Sequence, residues 1–238
     1  MKAETLERLN ALRADKQPCA LVTDLKTGLQ AIVHAGGTHG GFALFPEDEE
    51  TVLRRIVEDR SGIVEEGDQR LFVQVFAPPL RLLLVGAVHI AQALVPMAAL
   101  AGYAVTIIDP RRAFATDERF PDVTLSDAWP DEGLAALAPD RRTAVVTLTH
   151  DPKLDDPALL VALRSPAFYV GSLGSRKTHA KRVARLLEAG LTEAEIARLH
   201  APVGLDIGAV TPAEIGVSIL AEITQALRRQ VSAAPAGG

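Results

Sequence analysis

The chain has 238 residues, of which 48% are hydrophobic, 23% charged and 4% aromatic. Such a length and apolar content predict one large or two small folded domains and exclude a mainly disordered or fibrous chain. The net charge of −5, from 25 basic and 30 acidic side chains, argues against broad nucleic-acid binding, which needs a basic face to neutralise phosphates.

Cys19 is the single cysteine, so no internal disulfide can form, and a reducing compartment is expected. It falls in a strand-like run, where a buried, inert thiol is the simplest reading. Lys2, Glu4, Glu7 and Arg8 put charge where a signal peptide needs an apolar stretch, and a soluble, cytoplasmic protein is expected.

Residues 1–77 predict a small α+β domain. A short amphipathic helix over residues 5–12 places Leu6, Leu9 and Leu12 on one face. Strand-like runs follow at 19–23 and 30–33, turning through Thr27-Gly28, and then comes a Gly-rich loop over 36–41. Residues 46–58 have helical spacing with acidic residues in the first turn, which favour the helix dipole. Strands near 62–65 and 70–76 complete the unit, and Pro78-Pro79 makes a stiff junction.

From residue 78 to 230 the grammar changes to alternating strand and helix, which predicts a parallel sheet covered by helices. Strands are expected at 81–85, 103–108, 143–148 and 168–171, and helices at 89–100, 155–164 and 175–188. Between Leu82 and Ile108 there is no Asp, Glu, Lys or Arg, and about 20 apolar residues can span a bilayer. Gly86, His89, Gln92, Pro96 and Gly102 punctuate that stretch, so a buried strand–helix–strand unit is expected and no membrane partner. Capping boxes at Thr192/Glu195 and Thr211/Glu214, the latter with Pro212, start two late helices. The last helix is expected to end near residue 229, with 231–238 a frayed, disordered tail.

The segment from Arg81 to Ala91 reads as a buried strand, a tight turn at Gly86 and a helix start, and Asp109 ends the next strand about 23 residues later. That is a dinucleotide-fold layout: phosphate at the helix N-terminus and an acid on a ribose hydroxyl. The middle glycine of G-x-G-x-x-G/A is Val88 here, whose side chain would crowd a pyrophosphate. Asp109 either holds a ribose or caps its own loop through Arg111 or Arg112. His89 sits beside the turn, where a crevice ligand would lie. Thr149, His150 and Asp151 fall at a strand's C-terminal end, where open α/β sheets bind ligands. With Asp155 they could bind a polar group, but they are too few for a metal site. Gly204-Leu205-Asp206-Ile207-Gly208 could return Asp206 to the same crevice.

The second Gly-rich turn carries Gly171, Ser172, Gly174 and Ser175 into a helix start bearing Arg176, Lys177, Lys181 and Arg182. Free backbone amides, a helix dipole and nearby cations suit an anion, phosphate above all. At 100° per residue the four cations cannot share one face; Arg176, nearest the turn, is the expected phosphate partner. Arg182 is expected to be a solvated, screened surface charge. No nucleophile elbow, Walker lysine or His-Glu-x-x-His motif is present, and no catalytic or metal-binding residue is assigned.

Over residues 80–230 these motifs resemble the XdhC/CoxI family, accessory factors of molybdenum hydroxylases. The resemblance rests on residues 85–91, Asp109-Pro110-Arg111, Thr149-His150-Asp151 with Asp155, residues 171–176, and 204–208 through 211–215. It implies an α/β fold: a Rossmann-like, doubly wound parallel sheet behind the small N-terminal domain. Molybdenum cofactor (molybdopterin) would be bound cargo, delivered to a molybdenum hydroxylase apo-enzyme such as xanthine or carbon monoxide dehydrogenase. A cysteine desulfurase as second partner and a homodimer are further implications. The family pattern has Gly where Val88 stands, and its N-terminal Ser-Ala-Pro-Arg and Gly-Gly-Cys-Val-Glu motifs are absent, so the N-terminal domain is divergent or shortened. The alternatives are an NAD(P)-dependent oxidoreductase and a nucleotide-binding, ligand-sensing domain. If Val88 blocks the pyrophosphate, NAD and NADP bind weakly, and calorimetry of Val88→Gly should show tighter dinucleotide binding than the parent.

Overall fold

The computed structural model describes residues 2–66 and 69–233. They form two compact units, one on residues 2–78 and one on 79–230.

The first unit is an antiparallel sheet of β1 (Cys19–Asp24), β2 (Gln30–His34), β3 (Gly37–Gly40), β4 (Gly62–Glu66) and β5 (Gln69–Phe76), in the order β3-β2-β1-β5-β4. Side chains alternate between its faces, as the strand period of two requires. Cys19, Leu21 and Ile32 meet Leu9 and Leu12 of α1 (Ala3–Ala14) on one face. Ala20, Val22, Val33, Leu71 and Val73 meet Val52 and Ile56 of α2 (Pro46–Glu58) on the other. Leu6, expected in the apolar stripe of α1, is 43% exposed, and Thr5 takes the inward place one helical turn before Leu9. Cys19 is buried, and burial pushes its thiol up from the ordinary value.

The expected Gly-rich loop at 36–41 contains a strand. Gly37, at φ +113, opens β3, which pairs with β2 from His34↔Gly37 to Ala31↔Gly40. A Cβ on Gly40 would lie 2.6 Å from the Ala31 Cα and the Gln30 carbonyl oxygen. That glycine lets two backbones approach; it is explained without a ligand.

The second unit is a wholly parallel sheet. Its strands are β6 (Leu80–Val85), β7 (Tyr103–Ile108), β8 (Thr124–Ser126), β9 (Thr143–Thr147), β10 (Tyr169–Ser172) and β11 (Leu199–His200), ordered β8-β7-β6-β9-β10-β11. This is the doubly wound Rossmann order, with the reversal between β6 and β9. Leu82, Leu84, Ile107, Ala144 and Val146 face Ala91, Leu94 and Ala98 of α3 (His89–Leu100) and Ile219 and Ile223 of α8 (Pro212–Ala233). Leu83, Val85, Ile108 and Val145 face α4 (Pro130–Leu137), α5 (Pro152–Arg164), α6 (Arg176–Glu188) and the short α7 (Glu193–Ile196). The uncharged stretch from Leu82 to Ile108 is therefore β6, α3 and β7, buried because both sheet faces are covered. No helix among the described residues is long and apolar enough to cross a membrane.

Three details depart from the sequence reading. The short strands β8 and β11 and the helix α4 carry too little periodicity to be read alone. Helix α5 begins at Pro152, not at 155, because Asp151 caps it by accepting the Lys153 amide at 2.9 Å. Helix α8 continues to Ala233, so residues 231–233 of the expected tail are helical, and 234–238 lie outside the described residues.

One carboxylate fastens α8 to the sheet edge. Glu222 Oε2 accepts the Tyr169 hydroxyl at 2.6 Å and the Gly204 amide at 2.7 Å, while Oε1 lies 3.0 Å from His200 Nδ1. Burial alone would raise this carboxyl, but hydrogen bonds from His200, Tyr169 and Gly204 outweigh it and hold it below the usual value. A depressed folded-state pKa contributes stability above the unfolded carboxyl's value, and the contribution is lost as pH falls through the folded one. Glu222→Gln keeps the shape but turns one acceptor into a donor facing donors. It should cost about 2–4 kcal/mol at pH 7. Urea melts at falling pH should show the gap to the parent narrowing below about pH 4.

Candidate functional site

The sheet reversal opens a crevice at the C-terminal ends of β6 and β9. β6 runs into Gly86 at φ +112, whose amide donates to the Ile108 carbonyl at 3.0 Å. A Cβ here would lie 2.6 Å from Thr149 Cγ2, so only glycine lets the end of β6 lie against the loop after β9. Val88 is the extended N-cap of α3, its side chain partly buried on the core, and His89 is exposed at the first helical position.

Asp109 directly follows β7 and is fully buried. Its Oδ2 accepts the Ala87 amide and Arg111 Nη2, both at 2.8 Å. Its Oδ1 accepts the Arg111 amide at 3.0 Å and Arg111 Nε at 2.9 Å. Of the two readings the sequence allowed, the geometry is that of a loop cap through Arg111; Arg112 instead pairs with Asp127 at 2.7 Å. Burial would raise the Asp109 carboxyl, but the Arg111 and Ala87 hydrogen bonds prevail and hold it below the usual carboxylate range. Arg111 is 36% exposed and lies over the Phe114 ring, 4.7 Å from its centre. Arg119 ties the following segment back to the crevice, donating to the Ala87 carbonyl at 3.0 Å and to Gln92 at 2.9 Å.

Across the crevice, the chain leaves β9 through Thr149 and His150, which is exposed and left-handed at φ +62. Asp151 caps α5, and Asp155 in its first turn accepts the Thr149 hydroxyl at 2.6 Å. Asp155 is 1% exposed and Arg182 2% exposed, with Arg182 Nη2 lying 3.6 Å from Asp155 Oδ2 and donating to the Leu173 carbonyl at 3.0 Å. The expectation that Arg182 is a screened surface charge is therefore corrected. It sits one helical turn before Leu186, the other buried residue of α6, and that i, i+4 spacing was the available signal. Burial pushes the Asp155 carboxyl up and lowers the Arg182 guanidinium, each partly offset by the other.

The second Gly-rich turn divides into a buried and an open part. Ser172 is fully buried with its hydroxyl on that of Thr147, and a Cβ on Gly171 would meet Val203 and the Tyr169 ring below 3 Å. Both build the sheet edge. Gly174, at φ +147, lets the chain turn over Thr178 and Arg182, and the Ser175 hydroxyl caps α6 through the Thr178 amide at 3.2 Å. Arg176, Lys177 and Lys181 are exposed and make no ion pair among the described residues. Asp206 is exposed on the loop after β11, and among the described residues it makes no hydrogen bond with the other candidates. The structure thus brings Gly86, Asp109, Arg111, Thr149 and Asp155 together; the buried Arg182 and the half-buried Glu222 are charges of this unit that sequence reasoning missed.

The model of the XdhC Rossmann domain matches residues 82–223, more than half of the chain. The uncharacterized protein YqeB of Escherichia coli K12 is 38% identical over 159 residues, 67% of this chain and 29% of that protein. A probable xanthine dehydrogenase subunit of Bacillus subtilis 168 is 34% identical over 192 residues, 80% of this chain and 56% of its own length. The molybdenum cofactor insertion chaperone PaoD of Escherichia coli K12 is 32% identical over 148 residues, 62% of this chain and 40% of PaoD. The chain thus spans between 29% and 56% of the length of these curated relatives. A crystal structure described as a xanthine dehydrogenase from Bacillus halodurans superposes with a TM-score of 0.74 over 98% of this chain and 69% of that one, at 24% identity. At that identity the likeness concerns the fold.

Removing Arg182 takes away the cation that Asp155 is buried against, whereas removing both charges leaves neither stranded. Arg182→Met should cost roughly 3–5 kcal/mol. The Asp155→Asn/Arg182→Met pair should be more stable than that single variant, as read from urea midpoints.

Proposed function

The chain belongs to the XdhC family, and from that premise we propose that it is an accessory factor that binds molybdenum cofactor and assists its maturation and insertion into a molybdenum hydroxylase. The names of two relatives, a cofactor insertion chaperone and a probable component of xanthine dehydrogenase, support this reading. The observation that carries it against a nicotinamide oxidoreductase is the end of β7. Where a dinucleotide enzyme offers a carboxylate to ribose, Asp109 is buried and fully engaged, and Arg111 stands in front of it. A crevice that presents a fixed cation suits holding an anionic cargo.

In this reading Gly86, His89, Arg111, His150 and Asp151 border the cargo, and Gly174, Ser175 and Arg176 flank it from the neighbouring turn. Asp109, Gly171 and Ser172 act from beneath that surface by fixing the chain that carries it. Asp206 would join from the loop after β11. The partners are an apo-hydroxylase, a cysteine desulfurase and a second copy of the chain, in the cytoplasm.

The test is transfer. The full chain loaded with molybdenum cofactor should restore activity to an apo-hydroxylase faster than free cofactor does, and should not consume NADH with carbonyl substrates. Tight NADH binding with turnover, or no effect on the apo-hydroxylase, would overturn the proposal.

A further inference from the structure

Arg111 is held on three sides. Its Nε and Nη2 form a side-on fork with Asp109, its backbone amide donates to the same carboxylate, and its guanidinium lies on Phe114. A guanidinium has five N–H donors. The two on Nη1 and the second on Nη2 have no partner among the described residues, and they form the end-on edge that matches two phosphate oxygens. The side chain is 36% exposed, so that edge is reachable. The fork with Asp109, and after it the charges of Asp151 and Asp155 at the start of α5, favour the charged guanidinium. Asp109 balances the Arg111 charge and Asp155 is itself buried against Arg182, so what Arg111 offers a ligand is its open donor edge.

Two further features bear on what kind of phosphate fits. Val88 stands where the dinucleotide motif has glycine, and its side chain packs onto the core. Asp109 has no free oxygen for the ribose of a nucleoside beyond the pyrophosphate.

We propose that Arg111 is the phosphate receptor of this crevice, that Asp109 is its positioning residue, and that the ligand taken is a phosphomonoester in preference to a pyrophosphate-linked dinucleotide. The identity of the physiological ligand rests on the cofactor-handling reading; the recognition rests on the open donor edge of Arg111 and the fully engaged Asp109 carboxylate.

Phenyl phosphate serves as the phosphomonoester probe and NAD as the pyrophosphate-linked one, titrated calorimetrically into the full chain at low salt. Phenyl phosphate should bind more tightly than NAD. Arg111→Lys keeps the charge but cannot serve Asp109 and a phosphate with the same fork, and it should lower phenyl phosphate affinity about tenfold or more. Asp109→Asn separates positioning from charge. It removes a negative charge beside the site, so a purely electrostatic role predicts tighter anion binding, whereas a positioning role predicts weaker binding. Arg111→Lys, half-exposed, keeps the test valid should Asp109→Asn fail to fold.

Unchanged affinity in Arg111→Lys with a loss in Arg176→Ala would overturn the inference and move the phosphate to the start of α6. Equal or tighter NAD binding, or no phenyl phosphate binding by the parent, would overturn it too. Cofactor capture separates the two proposals. Wild-type capture by Arg111→Lys sinks this inference and leaves the accessory role standing. A parent protein that binds phenyl phosphate through Arg111 but never captures the cofactor sinks the accessory role alone.

Discussion

The Asp109 carboxylate joins two pieces of chain that leave the sheet at the ends of neighbouring strands. It takes the Ala87 amide from the turn after β6, the Arg111 amide from the loop after β7, and the Arg111 guanidinium itself. Parallel strands all end on the same side, so their loops must pack together there without ladder partners for the exposed backbone groups. A buried carboxylate with four donors answers that constraint and also fixes which side chain the crevice presents.

The same solution recurs across the sheet. Asp155 takes the Thr149 hydroxyl after β9 and faces Arg182 from α6, and Glu222 gathers Tyr169, His200 and the Gly204 amide at the edge of β10 and β11. Each of these acids is paired or multiply hydrogen-bonded, which is the condition for keeping a charge in a low-dielectric interior. The Asp155–Arg182 pair is the least satisfied of them, with Asp155 Oδ2 and Arg182 Nε and Nη1 lacking hydrogen-bond partners. It lies beneath the turn at Gly174, next to the candidate site.

The glycines of the chain divide by the same logic. Gly40, Gly86 and Gly171 are required by close approach of other atoms, whereas the opening at Gly174 is a turn over Thr178 and Arg182. Glycine-rich segments therefore marked three tight packings and one crevice wall, although in sequence they looked alike. Beside the glycines of the second unit, the side chains of His89, His150 and Arg176 are exposed and that of Arg111 is partly so.

Local pattern alone was enough for the alternation of strand and helix after Pro79, the βαβ character of the uncharged stretch from Leu82 to Ile108, the capping boxes and the order of the family motifs, because each depends on neighbours a few residues apart. Thr192 and Glu195 cap reciprocally as their spacing requires. What the tertiary structure decided was partnership over distance. Asp109 could have faced a ribose or its own loop, and only the fold showed both oxygens engaged. Arg182 and Lys181 are adjacent in a basic run, yet one is buried against Asp155 and the other is exposed. The difference is a 100° rotation about α6 relative to a sheet whose position no local pattern encodes.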